Sequence, residues 1–253
     1  MELREFGVSI DIKRTRFNDF GKQLELLDYF ADNCYNGIAI TAQNTPAIAE
    51  KIKEISQKNI PVITVNTDIP NSGRLAYVGS NYYQCGKVAA NLIELMTGGN
   101  AKIGIINGTN EIMCITERSV GFQDYLAART TSMQLVSVAN NFHYDEIESY
   151  LITKDMLDKD PNINALYLAS ADVSGACKAV VESERKIIVI SHDCVPATRE
   201  LVKQGIVAAT IDQQPHYQGS KPLDILFDFT IDGIESVEEY YYVDAIIKIS
   251  SNI

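Results

Sequence analysis

The stretch Lys186–Ser220, KIIVISHDCVPATRELVKQGIVAATIDQQPHYQGS, decides the fold class. It reads as an apolar strand, Ile187–Ile190, running into Asp193. A short helix and a second strand, Val207–Ile211, follow, and that strand runs into Gln213. Pro215 then opens another helix, because proline's fixed φ and missing N–H suit a first helical turn. Two neighbouring strands that both end in polar side chains describe the carboxyl edge of an open parallel sheet, which is where such sheets hold ligands.

Outward from this stretch, strand and helix alternate nearly throughout. Val8–Lys13 alternates apolar and polar residues as an edge strand would. Phe20, Leu24, Leu27 and Ala31 share helical spacing, and Gly37–Ile40 is a short strand leading to Asn44. Thr45-Pro46 is an N-cap followed by a first-turn proline, with Ile48, Ile52 and Ile55 on one helix face. Ile60–Val65 is a strand ending in Asn66-Thr67-Asp68. Asn81 caps a helix whose predicted buried face is Cys85, Val88, Leu92 and Leu95, closed by Gly98-Gly99. The alternation then restarts: strand Ala101–Ile106, helix 118–128, strand Leu135–Val138, helix 147–157, strand Ala165–Leu168 and a helix from about Asp172. Short β–α connections of this kind make mainly parallel sheets covered by helices on both faces. Two such runs, on either side of Gly79, predict two Rossmann-like units.

A chain of 253 residues is long for one core and comfortable for two. No stretch has the roughly 20 uninterrupted apolar residues of a membrane helix. A net charge of −11 repels a nucleic-acid backbone, so this chain is not expected to grip DNA by itself. The five cysteines, Cys34, Cys85, Cys114, Cys177 and Cys194, are odd in number and form no CxxC pair, which points to a reducing cytosol. The opening MELREFGVSIDI lacks the apolar core of a secretory signal, and Met1–Phe6 resembles the last turns of a helix, so a first strand is expected to lie upstream.

Catalytic signatures are absent. There is no GxxxxGK[ST] loop and no GxGxxG after a strand, and His143, His192 and His216 have no metal-ligand spacing; no cofactor or metal is expected. Ser191-His192-Asp193 is not a triad, because side chains alternate along an extended segment and the histidine points away from both neighbours. What remains is a set of polar groups at strand ends: Asn44, Asn66, Asp172, Asp193 and Gln213, with Arg118 early on a helix. Carboxylates accept from sugar hydroxyls and arginine donates to them, and burying such groups makes a site selective. Phe142 and Tyr82-Tyr83 offer flat apolar surface for a sugar face.

NIPVITVNTD (59–68), VGSNYYQCGKVAANLI (78–93), ERSVGF (117–122), IIVISHD (187–193) and AATIDQQPHYQG (208–219) follow one another in a familiar order and spacing. As a set they resemble the type I periplasmic-binding-protein superfamily, meaning ribose-binding-protein-like receptors and the effector domains of LacI/GalR-type repressors. The HDxxPxTRxLxxxG pattern from His192 to Gly205 and the closing KISSN resemble the repressor branch. The resemblance implies an α/β fold of two lobes, 1–79 with 214–241 and 80–213 with 242–253, joined by three crossings with ligand clamped between them. It assigns ligand contacts to Arg118, Phe142, Asp193 and Gln213, with Asn66, Thr67 and Asp172 at positions where this chain departs from the family's commoner residues.

Together these readings predict the effector-binding domain of a LacI-family transcriptional regulator. It would be cytoplasmic and homodimeric, would bind a sugar or sugar-like molecule, and would reach DNA only through an upstream helix-turn-helix domain. The alternative is the extracytoplasmic sugar receptor of an ABC uptake system. An enzyme is not expected.

Overall fold

Side chains alternate sides along each strand, and this period of two builds both sheets of the computed structural model, which describes residues 3–16, 19–108, 113–141, 145–170, 173–231, 233 and 236–253. The chain falls into two compact units, Met1–Gly79 with Pro215–Val243 and Ser80–Gln214 with Asp244–Ile253.

The first unit contains α1 (Phe20–Asp32), β1 (Ile38–Ile40), α2 (Pro46–Gln57), β2 (Val62–Val65), β3 (Ala76–Ser80), α8 (Pro215–Thr230) and β9 (Tyr240–Val243). Its sheet order is β1-β2-β3-β9, with β1, β2 and β3 parallel. Leu27, Ile48, Ile52, Ile55 and Val62 pack on one side of the sheet; Ile63, Val78, Ile225 and Leu226 pack on the other. Thr45 caps α2 as expected, its hydroxyl accepting from Ile48 N at 3.3 Å with Pro46 in the first turn.

The second unit contains α3 (Tyr82–Thr97), β4 (Lys102–Asn107), α4 (Met113–Ala127), β5 (Gln134–Asn140), α5 (Glu146–Lys159), β6 (Ala165–Leu168), α6 (Val173–Glu182), β7 (Ile188–His192), α7 (Pro196–Lys203), β8 (Ala209–Asp212) and β10 (Ile246–Lys248). The strand order is β10-β8-β7-β6-β4-β5, parallel except for the antiparallel β10–β8 pair. In β6, Ala165 and Tyr167 join one core with Ala89 and Phe122, while Leu166 and Leu168 join another with Leu157, Cys177 and Val202. Strands buried on both faces explain the near-continuous apolar runs.

Three expectations are corrected. Residues 8–13 form no strand; Ile10 and Ile12 are exposed, and alternation without a ladder partner does not make one. Leu95 is 72% exposed, because α3 turns Tyr82, Cys85, Ala89 and Ile93 inward, led by small residues that let α4 come close. On α7, where helical spacing puts Leu201 on the buried face, Thr198 and Val202 are the fully buried residues, and Leu201 is half-buried against the same core.

Asp68, just beyond β2, fixes the shape of its unit. Its carboxylate accepts from Thr64 Oγ1 at 2.7 Å, Ile69 N at 2.8 Å, and Arg74 Nε and Nη2 at 2.5 and 2.7 Å. Arg74 also lies 4.9 Å over the Tyr240 ring, tying β9 to this knot. Breaking one side of a buried ion pair strands the other charge. Asp68→Ala is therefore expected to cost about 3–5 kcal/mol of stability, read by urea unfolding. A loss below about 1 kcal/mol would show that water compensates Arg74.

Candidate functional site

At the carboxyl edge of the second sheet, β4 continues outward to β5 while β6 continues the opposite way to β7. The gap between β4 and β6 is thus the topological switch point, where open α/β sheets receive ligands. Arg118 spans it. Carried on α4, it donates from Nη1 to the carbonyl of Ala169, just past β6, at 2.8 Å. Its guanidinium lies 4.9 Å over the Tyr82 ring, and the residue is only 4% exposed. Burial works against its charge, yet Cys114, Tyr167, Asp193 and Tyr82 around it hold its pKa above the ordinary arginine value. Its Nε finds no acceptor among the described residues, an uncommon state for a buried donor.

Asp193 follows β7 in a left-handed conformation, φ 67°. Its N–H donates to Ile211 O at 3.0 Å, its carbonyl accepts from Thr210 Oγ1 at 3.3 Å, and its carboxylate accepts from Gln213 Nε2. Gln214 is also left-handed, φ 51°, and donates to Asp244 O at 3.2 Å. Non-glycine residues held at positive φ cluster at functional sites, because only strong surroundings keep them there. Arg118, Asp193 and Gln213 are therefore brought to one edge of one sheet, as the strand ends suggested.

Two further residues belong to this edge. Asn107 ends β4 and Asn140 ends β5, and the Oδ1 of each is buried with no donor among the described residues. Their signal was legible: the runs IGIIN and VSVAN each close an apolar or alternating strand on asparagine.

In the first unit, Asn66 is exposed beyond β2 at φ 63°, with its N–H on Val78 O at 3.0 Å and its carbonyl accepting from Tyr77 OH at 3.0 Å. Thr67 gives its hydroxyl hydrogen to Ala42 O at 2.6 Å and so joins the loops after β1 and β2. Asn44 is exposed. Phe142 and Asp172 lie outside the described residues. Tyr82 is buried beneath Arg118 instead of offering an open face, while Tyr83 is on the surface with its hydroxyl on Asp124 at 2.9 Å.

Beneath the edge, His192 is fully buried, with Nε2 2.7 Å from Tyr167 OH; Tyr167 in turn stacks on Phe122 at 4.9 Å. Burial, followed by the nearby Arg118 charge, pushes the His192 pKa well below the usual histidine value. No group of three metal-ligating side chains occurs among the described residues.

A two-unit α/β fold with a buried arginine at a parallel-sheet switch point describes a small-molecule binding protein. The chain belongs to the periplasmic binding protein domain family, whose model matches residues 2–233. It is 26% identical over 209 residues to the ribose import binding protein RbsB of Escherichia coli (strain K12), covering 82% of this chain and 69% of that protein. It is 24% identical over 262 residues to the D-allose-binding periplasmic protein of the same organism, covering 97% and 84%. Among solved structures, GanP, a glucose-galactose binding protein from Geobacillus stearothermophilus, is 27% identical with a TM-score of 0.88, covering 99% of this chain and 89% of that one. The similar proteins are binding proteins rather than enzymes.

These relatives overturn the expectation of a cytoplasmic, homodimeric LacI-type regulator that reaches DNA through an attached domain: they are import and periplasmic binding proteins. The HDxxPxTRxLxxxG pattern misled because it encodes geometry. Pro196 opens α7, Thr198 and Val202 are its buried residues, and Gly205 at φ 74° turns the chain beyond it. An odd cysteine count does not by itself mark a compartment, because a buried free thiol is protected wherever it is. Cys85 and Cys177 are buried, and burial pushes the Cys177 thiol up to about 12.

The neutral buried imidazole has a consequence for pH. Above about pH 6.5 both the folded and the unfolded chain keep it uncharged. Below that value the unfolded chain takes up a proton that the folded one refuses, so stability falls toward acid by up to about 1.4 kcal/mol per pH unit. Urea midpoints at pH 7 and pH 5 are expected to fall less for His192→Gln than for wild type; equal falls would show that His192 is not the group responsible.

Proposed function

We propose that this chain is the sugar-binding receptor of an ABC-type import system, acting outside the cytoplasmic membrane and delivering an uncharged aldose to a membrane permease. The observation that carries the reading is Arg118, buried at the switch point with an uncommitted Nε donor and with the Asp193 carboxylate among its neighbours. A guanidinium donates to hydroxyl oxygens and a carboxylate accepts from hydroxyl hydrogens, so the pair can read a sugar's hydroxyl pattern while contributing no net charge. Gln213 orients the carboxylate, and Asn107 and Asn140 add acceptors along the same edge. The family resemblance adds Asn66, Thr67, Phe142 and Asp172 as further proposed ligand contacts.

The similarity to ribose, allose and glucose-galactose binding proteins supports pentoses and hexoses as the ligand class. A thermal-shift panel of D-ribose, D-allose, D-xylose, L-arabinose, D-glucose and D-galactose tests this directly. Ligand at a hundred times its Kd adds roughly 2.7 kcal/mol, a readily visible rise in Tm. At least one of these sugars is expected to raise Tm for wild type. Asp193→Ala is expected to remain folded and lose the shift, because its carboxylate faces a strand end rather than the apolar core. A folded protein silent to the whole panel would refute the proposal.

A further inference from the structure

The two helices that hold the Arg118–Tyr82 pair touch backbone to backbone. A Cβ on Gly86 of α3 would stand 2.0 Å from the carbonyl oxygen of Arg118 and 2.9 Å from Phe122 N. Reciprocally, a Cβ on Gly121 of α4 would stand 2.0 Å from the carbonyl oxygen of Tyr83. Neither neighbour is a flexible side-chain tip that could swing aside; both are helix backbone. Gly86 lies one turn beyond Tyr82, and the backbone it meets is that of Arg118 itself. The distance between helices is therefore set at the residue whose side chain bridges to Ala169 O and covers the Tyr82 ring.

We propose that Gly86 is a positioning residue for the ligand: by allowing α4 to close on α3, it fixes the depth at which Arg118 crosses the switch point. The proposal rests on reading this edge as a sugar site. Glycine costs helix stability relative to alanine, so its place in the middle of α3 requires a compensating gain, and the close helix crossing is that gain. Adding one methyl must part the helices or shift Arg118 along α4. In either case the guanidinium moves relative to Ala169 O, Tyr82 and Asp193 together, and a charged hydrogen bond does not survive a displacement of that size.

The test compares Gly86→Ala with Leu157→Ala. Leu157 is a core residue near the carboxyl end of α5, the helix leading into β6, and so lies at the edge of the sheet opposite the strand carboxyl ends. Calorimetric titration uses the sugars of the panel, D-ribose first, with urea midpoints measured on the same preparations. Gly86→Ala is expected to weaken binding roughly tenfold or more, the scale of one lost charged hydrogen bond, while Leu157→Ala at a comparable loss of midpoint leaves Kd within about twofold. Equal effects on Kd would reduce Gly86 to ordinary packing and overturn the proposal.

A second arm needs no ligand. If Gly86→Ala already displaces Arg118, then Arg118→Met added to it costs less stability than Arg118→Met alone, whereas Leu157→Ala and Arg118→Met add. Additivity in both pairs overturns the proposal even if no sugar binds, so its failure is separable from failure of the receptor reading. Should Gly86→Ala not fold, Gly121→Ala takes its place in both arms. Its added methyl meets the Tyr83 carbonyl and so parts the same two helices from the α4 side, and unchanged Kd and additive stability would again overturn the proposal.

Discussion

A guanidinium held almost entirely out of water is the constraint on which the second unit depends. Arg118 is 4% exposed, and a charge so placed is costly unless its donors and its field are answered. One donor is met by Ala169 O, the cation lies over the face of Tyr82, and Asp193 contributes its field. Each of these partners imposes a further requirement. Tyr82 and Arg118 sit on different helices, so Gly86 and Gly121 must let those helices touch. His192 must remain neutral beside the arginine, and burial together with the arginine's own charge keeps it so.

The two buried arginines show what separates scaffold from site. Arg74 meets a carboxylate with two nitrogens, and that carboxylate also serves Thr64 and a backbone N–H; the knot is complete and joins β2, β3 and β9. Among the described residues Arg118 has no such carboxylate in its grip. The carboxylate whose field reaches it, Asp193, is hydrogen-bonded instead by Gln213 and held in a left-handed turn. Nature tolerates an unanswered buried donor where a ligand supplies the answer, and a polyol can do so while also donating to Asp193. The same left-handed backbone recurs at Asn66 beyond β2 and at Gln214 beyond β8, although Cys34, Asn59 and Glu184 adopt it beyond helix ends as well.

The alternation of strand and helix was readable because each strand is a short apolar run closed by a polar residue, and caps such as Thr45 and Asn81 mark the helices by local chemistry. Arg118, Asp193 and Gln213 were readable for the same reason: they lie where a strand or its following helix meets the sheet edge. The misread residues depend on partners distant in sequence. Leu95 has helical spacing but faces away, because the inward face of α3 is set by its contact with α4. Residues 8–13 alternate correctly yet pair with nothing described. Tyr82 read as an open aromatic, since nothing local announces the guanidinium above it. Branch within the family was beyond the sequence pattern, because the segment that suggested a repressor encodes only the turn from β7 into α7.

The most direct measurement is a crystal structure of the protein with the panel sugar that raises Tm most. Hydroxyl oxygens are expected within hydrogen-bonding distance of Arg118 Nε and of the Asp193 carboxylate, with Arg118 still bonded to Ala169 O. A sugar bound away from the carboxyl edge of β4, β6 and β7, or one that leaves Arg118 Nε without an acceptor, would contradict the central claim.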